Sequence, residues 1–447
     1  MLFSQCLMRA ASAAEALARH GAGPGYPIAA LTESTEVLAI LSCAAPMVGG
    51  ALFPLDPHLP EEFLQNLLAA AGVKVIVSER EFDGLPHVPA HKIAEGEPSA
   101  PLPFRYTSDS LALLIATSGS SARPKAVMLS DENLRASAEA SLSRTPLGKS
   151  DRWLVCLPLF HIGGFSVLTR CRLAGADAVL QQGFDPERVN TALSRQHITH
   201  LSLVPAMLAL LLESAKGPPP PALRHVLVGG AALSPNLAAQ ASELGWPIQP
   251  TYGMSETASQ VATLPALPRS WRAGLVGRPF PGVSVALNDD GRLKIKGPMV
   301  MAGYANPAGE LGHGLSDGWF QTNDLAELTE SGELIILGRA DDVITSGGTK
   351  VQPAAVEDLV RMCPAIRDVA IVGRQDRIWG EIVVAVFSGE IGEAALLDWC
   401  RNNIPSRLRP RAAISLPALP ALANGKPDRR ALRDLASRHN AETGAIG

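Results

Sequence analysis

Several short stretches of this 447-residue chain contain residues whose types and spacing could do chemistry. The first reads TSGSSARPK, from Thr117 to Lys125. Backbone amides and hydroxyl groups of such a loop can surround phosphate oxygens, while the lysine supplies positive charge. The Walker phosphate loop is excluded, because it needs a glycine directly before its lysine and a serine or threonine after it. The residues alone leave a phosphate site and an ordinary serine-rich turn open.

Two further stretches follow predicted strands. PLFHIGG places His161 beside an aromatic residue and two glycines, and TYGMSETAS brings together Tyr252, Ser255 and Glu256. An aromatic ring to cover a base, a hydroxyl for a phosphate and a carboxylate for Mg²⁺ would suit a nucleotide. The alternatives are a structural histidine and a capped helix start.

The remaining candidates lie in the C-terminal part of the chain. Asp324 is predicted at the start of a strand, where it could accept both ribose hydroxyls or simply be solvated. Arg339 is followed by two acidic residues and by a turn at Gly347 and Gly348. This stretch could bind a ligand or be only a hydrated hinge. Lys426 lies in a glycine-flanked turn, where a mobile surface lysine is the alternative.

The pattern of hydrophobic residues predicts the strands and helices that position these candidates. Short apolar runs, predicted as strands, alternate with helical stretches such as 132–143 and 236–244; the runs lie at 111–116, 152–159, 177–182, 200–205 and 225–230. Continuous apolar strands between helices predict a mostly parallel sheet covered on both faces. The serine-rich loop is then expected between a buried strand and a helix that begins at Ser130, a favourable N-cap.

The pattern of hydrophobic and polar residues changes after about residue 280. Short alternating segments predict a smaller β-rich region, and the chain restarts near Arg339 as a small α/β unit. Helices are expected near 354–362 and 392–402, with strands at 368–373 and 381–389 between them. We predict an N-terminal domain over 1–338 and a C-terminal domain over 339–447.

Composition excludes several classes of protein. A net charge of −4, with 47% hydrophobic and 18% charged residues, is typical of a soluble globular protein without a nucleic-acid partner. Six scattered cysteines indicate neither zinc nor a disulfide framework, which favours the cytoplasm. The apolar stretch 37–55 contains prolines and glycines, so a buried helix and a strand are expected there and no membrane span. Composition leaves a homo-oligomer open.

The order of the motifs is more specific than any one of them. It resembles the adenylate-forming superfamily of acyl- and aryl-CoA ligases, luciferases and peptide-synthetase adenylation domains, on the segments 117–127, 252–256, 322–324, 338–348 and 425–429. The resemblance implies an α/β fold: a large N-terminal domain of αβ layers with a smaller, mobile α+β lid. It also implies two half-reactions, in which a carboxylate attacks the α-phosphate of MgATP, giving an acyl-adenylate and pyrophosphate, and the thiol of coenzyme A then attacks the activated carbonyl.

The resemblance also assigns the phosphate side of the site. Ser255 would contact the α-phosphate, Glu256 would coordinate Mg²⁺, and Lys426 would bridge the substrate carboxylate and the α-phosphate. The β- and γ-phosphates would be held by Thr117, Ser118, Gly119, Ser120, Ser121 and Lys125. Ala122 replaces a glycine usual in the family, and a positive φ there would be costly.

The nucleoside and the lid are assigned in the same way. Asp324 and Arg339 would bind the ribose, and Arg339 is also a catalytic candidate. Asp341 would be the hinge about which the lid rotates. The adenine would be flanked by Gly230, Ala231 and Ala232, with Tyr252 stacked on the ring and Gly253 beside it. Rotation would bring the loop of Gly347 and Gly348 to the pantetheine tunnel of coenzyme A.

The sequence indicates the identity of the acid substrate less clearly than it indicates the nucleotide site. Within the superfamily, the segments around His161 and Tyr252 most resemble the o-succinylbenzoate:CoA ligases of menaquinone synthesis. His161 is then a catalytic and acid-binding candidate, and Arg170 would face the second carboxylate of a dicarboxylic acid, since a guanidinium matches a carboxylate bidentately. The alternative for Arg170 is an arginine that extends from its helix to solvent. Other aryl or fatty acids, transfer to a carrier-protein thiol and a non-catalytic nucleotide-binding relative stay open.

Overall fold

The computed structural model describes residues 2–100, 102–105, 107, 109–117, 124–215, 217–308, 310–421 and 427–443, the last four by their backbone alone. The elements up to residue 142 are α1 (Phe3–Arg19), β1 (Pro27–Leu31), α2 (Thr35–Val48), β2 (Ala51–Leu55), α3 (Glu61–Ala71), β3 (Val75–Ser78), β4 (His87–Pro89), α4 (Ala90–Ala94), β5 (Leu111–Thr117), β6 (Lys125–Ser130) and α5 (Asp131–Leu142). The stretch expected to be a helix and a strand is α2 followed by β2, which confirms that prediction.

The next region contains a second set of alternating strands and helices. In chain order these are β7 (Arg152–Val155), α6 (Ile162–Ala174), β8 (Asp177–Leu180), α7 (Pro186–Arg195), β9 (His200–Leu203), α8 (Pro205–Ser214), β10 (His225–Val228), α9 (Pro235–Glu243), β11 (Ile248–Met254) and β12 (Ser259–Thr263). A single 3-10 turn, Ser255–Thr257, separates β11 from β12.

The C-terminal elements are shorter and richer in strands. They are β13 (Leu275–Gly277), β14 (Ser284–Leu287), β15 (Arg292–Lys296), β16 (Gly303–Tyr304), β17 (Leu315–Ser316), β18 (Trp319–Leu328), β19 (Leu334–Arg339), β20 (Ile344–Ser346), β21 (Thr349–Val351), α10 (Pro353–Val360), β22 (Ile366–Asp376), β23 (Gly380–Gly389), α11 (Glu393–Asn403), β24 (Ala412–Ser415) and α12 (Arg429–Thr443). A 3-10 turn, Ala340–Asp342, follows β19.

Helix ends follow the local sequence. Proline occupies the first turn of α7, α8, α9 and α10, where its missing N–H would have no partner in the helix anyway. Glycines with left-handed backbone end α2, α3 and α6. N-cap side chains accept a backbone N–H at Ser34, Ser130, Asp185 and Ser234.

The strands form four sheets among the described residues. The first has the order β16-β6-β5-β2-β1-β3-β4, and the second has the order β12-β11-β10-β9-β7-β8. Both are parallel through their centres, but β6, β16 and β12 run antiparallel to their neighbours. The expected mostly parallel sheet is therefore right for the interiors and wrong at these edges. There β6 and β12 return by short connections from β5 and β11 instead of helical crossovers, and β16 joins β6 from a distant part of the chain.

The other two sheets belong to the C-terminal part of the chain. The third, β13-β19-β18-β15-β14 with β17 beside β18, is antiparallel and matches the expected β-rich region. The fourth has the order β21-β20-β23-β22, with β24 parallel to β23. Its buried clusters contain residues from 344 to 436 only, so this region has a core of its own. That core supports the predicted boundary near Arg339, which stays a prediction.

Within the described residues, no helix combines the length and the apolar character needed to cross a membrane.

Candidate functional site

The serine-rich loop connects two antiparallel strands. Thr117 ends β5, Lys125 begins β6, and the two residues are paired in register. Ser118, Gly119, Ser120, Ser121 and Ala122 lie outside the described residues. The expectation of a loop between a strand and a helix is wrong, because β6 intervenes before α5. Ser130 nevertheless caps α5 as predicted, with its Oγ accepting from the Asn133 amide at 3.1 Å.

Tyr304 joins this hairpin to the third candidate stretch. Its strand, β16, pairs with β6, and its hydroxyl donates to Glu256 Oε1 at 2.8 Å. Lys125 Nζ lies 4.7 Å from the centre of the same ring. Burial and the neighbouring Glu256 raise the pKa of Tyr304 far above its ordinary value, so the hydroxyl remains a donor. Lys125 and Glu256 are thus brought to one place by a residue that the sequence analysis missed, because its strand has only two residues.

The stretch around Glu256 is a tight turn between antiparallel strands. It leaves β11 after Met254 and enters β12 at Ser259, so the alternative of a capped α-helix is wrong. Gly253 is required by packing, since a Cβ atom at this position would lie 1.7 Å from the carbonyl oxygen of Ser259. The backbone of Ser259 has a φ of 125°, a strained value for a residue with a side chain.

Tyr252 and Asp324 are directly bonded. The tyrosine hydroxyl donates to Asp324 Oδ2 at 2.5 Å, and burial together with this carboxylate raises the pKa of Tyr252 well above its ordinary value. Arg339 approaches Asp324 with 3.6 Å between Nη1 and Oδ1, and it donates two bonds of 2.9 Å to Asp341. Asp324 lies inside β18 opposite Arg339, not at a strand start as expected.

The predicted adenine segment lies against the same region. Gly230, Ala231 and Ala232 form an exposed turn after β10. The preceding Gly229 packs so closely that a Cβ atom would lie 2.7 Å from Thr251 Cγ2. The turn is therefore held next to the strand that carries Tyr252.

Arg170 is buried, with only 2% of its surface exposed, so the alternative of an arginine extending to solvent is wrong. Its Nη2 donates to Ser259 Oγ at 2.9 Å, and the guanidinium carbon lies 5.3 Å from the ring centre of Trp153. Its Nε has no hydrogen-bond partner among the described residues. Burial lowers the pKa of Arg170 to about 10, which leaves it charged at neutral pH. His161, at the N-cap of α6, packs edge-on against Phe160 with ring centres 4.8 Å apart.

In the C-terminal part of the chain, the candidates lie in or after the turn that follows β19. Asp341 and Asp342 lie in this turn, and Asp342 forms ion pairs with Arg433 at 2.5 Å and with Arg429 at 3.4 Å. Gly347 and Gly348 form the exposed turn between β20 and β21, with φ values of 55° and 79°. The Gly347 amide donates to the carbonyl of Trp379 at 2.9 Å. Lys426 lies outside the described residues.

A metal would have few protein ligands in this arrangement. In the part of the chain that the structure describes, no three His, Cys, Asp or Glu side chains cluster as a metal cage would require. Mg²⁺ bound with a nucleotide does not need such a cage, because one or two carboxylates combine with phosphate oxygens and water. Glu256, oriented by Tyr304, whose ring also lies beneath Lys125, fits that kind of site.

The comparisons with known proteins agree with this geometry. The profile of the AMP-binding enzyme family matches residues 2–305, and that of the AMP-binding enzyme C-terminal domain matches residues 355–426. The chain belongs to the AMP-binding enzyme family. This membership and the α/β fold with a large N-terminal and a smaller C-terminal part are confirmed predictions.

Relatives of this AMP-binding enzyme carry a narrower name. The 2-succinylbenzoate–CoA ligase of Bacillus cereus is 32% identical over 97% of this chain and 93% of its own length. Among solved structures, o-succinylbenzoate CoA synthetase from Bacillus subtilis, in complex with the acyl-adenylate intermediate, has a TM-score of 0.87 at 28% identity, covering 96% of this chain and 93% of its own. An ATP-bound enzyme from Rhodopseudomonas palustris has a TM-score of 0.85 at 25% identity, covering 97% and 93%. The predicted resemblance to o-succinylbenzoate:CoA ligases is confirmed.

Proposed function

We propose that this AMP-binding enzyme joins 2-succinylbenzoate (o-succinylbenzoate) to coenzyme A. The carboxylate and MgATP give an acyl-adenylate and pyrophosphate, and coenzyme A then gives the thioester and AMP. The observation that carries the choice of acid is the buried, charged guanidinium of Arg170, whose hydrogen bond within the described part of the chain goes to the neutral Ser259 Oγ, on the turn that follows Glu256. The names of the relatives support the same acid.

The adenylation step asks mainly for positioning and for neutralisation of charge. We assign Thr117, Lys125 and the intervening loop to the leaving pyrophosphate, which the hairpin would hold between two fixed strand ends. Ser255 is assigned to the α-phosphate and Glu256 to Mg²⁺, which would offset the negative charge of the phosphates. In support, Lys125 and Glu256 flank one tyrosine ring.

The nucleoside is assigned to the strands that meet at Tyr252. Asp324 and Arg339 would bind the ribose, and Gly253 allows the close strand approach that sets this surface. The Tyr252 hydroxyl already bonds Asp324, so the tyrosine ring and the ribose-binding carboxylate are fixed relative to each other. Adenine is assigned to the turn of Gly230, Ala231 and Ala232.

The second half-reaction needs the lid to move. We assign Asp341 as the hinge of a C-terminal domain over 339–447, Lys426 to the adenylation step, and the Gly347–Gly348 turn to coenzyme A. The ion pair between Arg339 and Asp324, with 3.6 Å between Nη1 and Oδ1, spans the predicted boundary, so rotation about this turn would rearrange it. One site would then serve both steps.

Arg170 is assigned to the second carboxylate, and His161 to the acid site at the start of the same helix. Removing a charged partner of a buried carboxylate costs about 2–5 kcal/mol, roughly thirtyfold or more in affinity. Because Arg170 is only 2% exposed, the side chains that cover it must shift when the acid binds. Arg170→Ala should therefore raise the KM for 2-succinylbenzoate far more than the KM for an acid with one carboxylate. Equal effects on both acids would contradict the assignment.

The function is tested by measuring pyrophosphate release with a panel of aromatic, dicarboxylic and fatty acids, with and without coenzyme A. We expect release with 2-succinylbenzoate, and thioester formation on addition of coenzyme A. Thioester formation on a carrier-protein thiol, and none on coenzyme A, would replace coenzyme A as the acceptor in the proposal. Absence of release with every acid, in protein that binds ATP, would indicate a non-catalytic relative.

A further inference from the structure

Ser259 is placed to orient the guanidinium of Arg170. Its hydroxyl oxygen lies 2.9 Å from Arg170 Nη2, and the residue is itself buried. On another side, the fully buried Trp153 packs its ring against the guanidinium and is anchored by an Nε1–H bond of 3.1 Å to Ser202 Oγ. The guanidinium plane is therefore fixed by one hydrogen bond and one aromatic surface.

The turn that presents this hydroxyl is held in an unfavourable conformation. Ala258 and Ser259 both have positive φ, at 49° and 125°. Residues with a side chain keep such values only when their surroundings enforce them, and they concentrate at functional sites. Ser137 Oγ donates to the Ala258 carbonyl at 2.9 Å, and Thr257 Oγ1 donates to the Ser259 carbonyl at 3.1 Å. These buried bonds maintain the strained turn and so the position of the Ser259 hydroxyl.

Arg170 has hydrogen-bonding capacity that the described residues leave unused, at Nε, and an anion could use it. Of five N–H donors, one is used by Ser259, and Nε has no partner among the described residues. A carboxylate is recognised bidentately only when the planar fork is fixed in direction. Without Ser259, the guanidinium could rotate about its last torsions, and part of the binding free energy would be lost to ordering it.

We propose that Ser259 is a positioning residue that sets the selectivity of this enzyme for dicarboxylic over monocarboxylic acids by fixing Arg170. The inference rests on the proposed function and adds to it a residue that would not touch the acid itself. It predicts an effect on the acid KM, with kcat at saturating acid and the KM for MgATP close to those of the unaltered enzyme.

The test uses Ser259→Ala and Ser259→Gly. Both substitutions remove the hydroxyl, but glycine adopts a φ of 125° without strain. If only Ser259→Ala fails to fold, Ser259→Gly therefore still tests the role of the hydroxyl. Initial rates of pyrophosphate release are measured with 2-succinylbenzoate and with two analogues that each lack one of its carboxylates, 4-oxo-4-phenylbutanoate and 2-propanoylbenzoate. In both variants, the preference for the dicarboxylic acid, as a ratio of kcat/KM values, should fall about tenfold, the loss expected for one hydrogen bond to a charged group.

The control is Ser42→Ala, which removes another buried hydroxyl, one bonded to the carbonyl of Ala39 in its own helix. It should leave the preference unchanged. In an Arg170→Ala background, Ser259→Gly should have no further effect on the preference. An unchanged preference in both Ser259 variants, or a further fall in the Arg170→Ala background, overturns the inference. Failure of the unaltered enzyme to use 2-succinylbenzoate would instead refute the proposed function.

Discussion

Tyr304→Phe separates two contacts that the structure places on one side chain. The substitution removes the hydroxyl that donates to Glu256 Oε1 at 2.8 Å and keeps the ring beneath Lys125. If Glu256 holds Mg²⁺, its carboxylate then loses the bond that orients it, while the lysine keeps its aromatic support. The expected defect is therefore in the use of Mg²⁺, with little change in the interaction with the phosphates.

The size of the defect follows from the bond that is lost. A hydrogen bond to a charged group contributes about 1.5–3 kcal/mol, and Glu256 is only partly buried, so the lower end applies. Since about 1.4 kcal/mol is a factor of ten, the Mg²⁺ concentration that gives half-maximal pyrophosphate release should rise about tenfold at fixed ATP.

The assay titrates Mg²⁺ at saturating acid and ATP, with thermal unfolding measured on the same protein. Tyr26→Phe is the matched control, because Tyr26 is an exposed tyrosine that also has a lysine, Lys74, over its ring at 5.8 Å. It should leave the Mg²⁺ dependence unchanged. Tyr304→Leu, which also removes the ring, should in addition raise the KM for ATP. An unchanged Mg²⁺ dependence in correctly folded Tyr304→Phe would refute the assignment of Glu256.

Three further outcomes are expected. Gly253→Ala should lower the melting temperature by several degrees and abolish pyrophosphate release, because the new Cβ would lie 1.7 Å from the Ser259 carbonyl oxygen. Lys426→Ala should slow adenylation by roughly 10²–10³ while leaving transfer from preformed acyl-adenylate to coenzyme A largely intact; unchanged pyrophosphate release would reject its role. Burial and the nearby His225 lower the pKa of His200 to about 4 from 6.5, so unfolding takes up a proton between these values and stability falls as the pH drops through them. The loss should be about 3 kcal/mol by chemical denaturation at successive pH values, and His200→Gln should show a flatter dependence.

The sequence predicts the fold more fully than it predicts the site. Apolar runs and capping residues place the elements that they predict within a few residues, because burial and helix ends have local signatures; α2, β5 and α5 are examples. The edges of the sheets are harder. β6 begins with the exposed Lys125 and directly follows a loop, so nothing local marks it as an antiparallel partner of β5.

Contacts within the site depend on pairs that are distant in sequence. Tyr304 is 48 positions from Glu256, and Ser259 is 89 positions from Arg170, so no spacing rule connects them. The burial of Arg170 could not be predicted either, because an arginine on a helix usually extends its charge to solvent. The motifs identified the residues that could act, whereas their orientation required the three-dimensional arrangement of the sheets.

The close approach at Gly253 also constrains how this enzyme could be redesigned. The Ser259 hydroxyl that bonds Arg170 can take its position because Gly253, six residues earlier, has no side chain. An engineer who wishes to change the accepted acid should therefore treat positions 253 and 259 as one unit. A substitution of Ser259 that keeps Gly253 changes the hydrogen bond to the Arg170 guanidinium. A substitution of Gly253 instead moves the whole strand and the side chains that it carries.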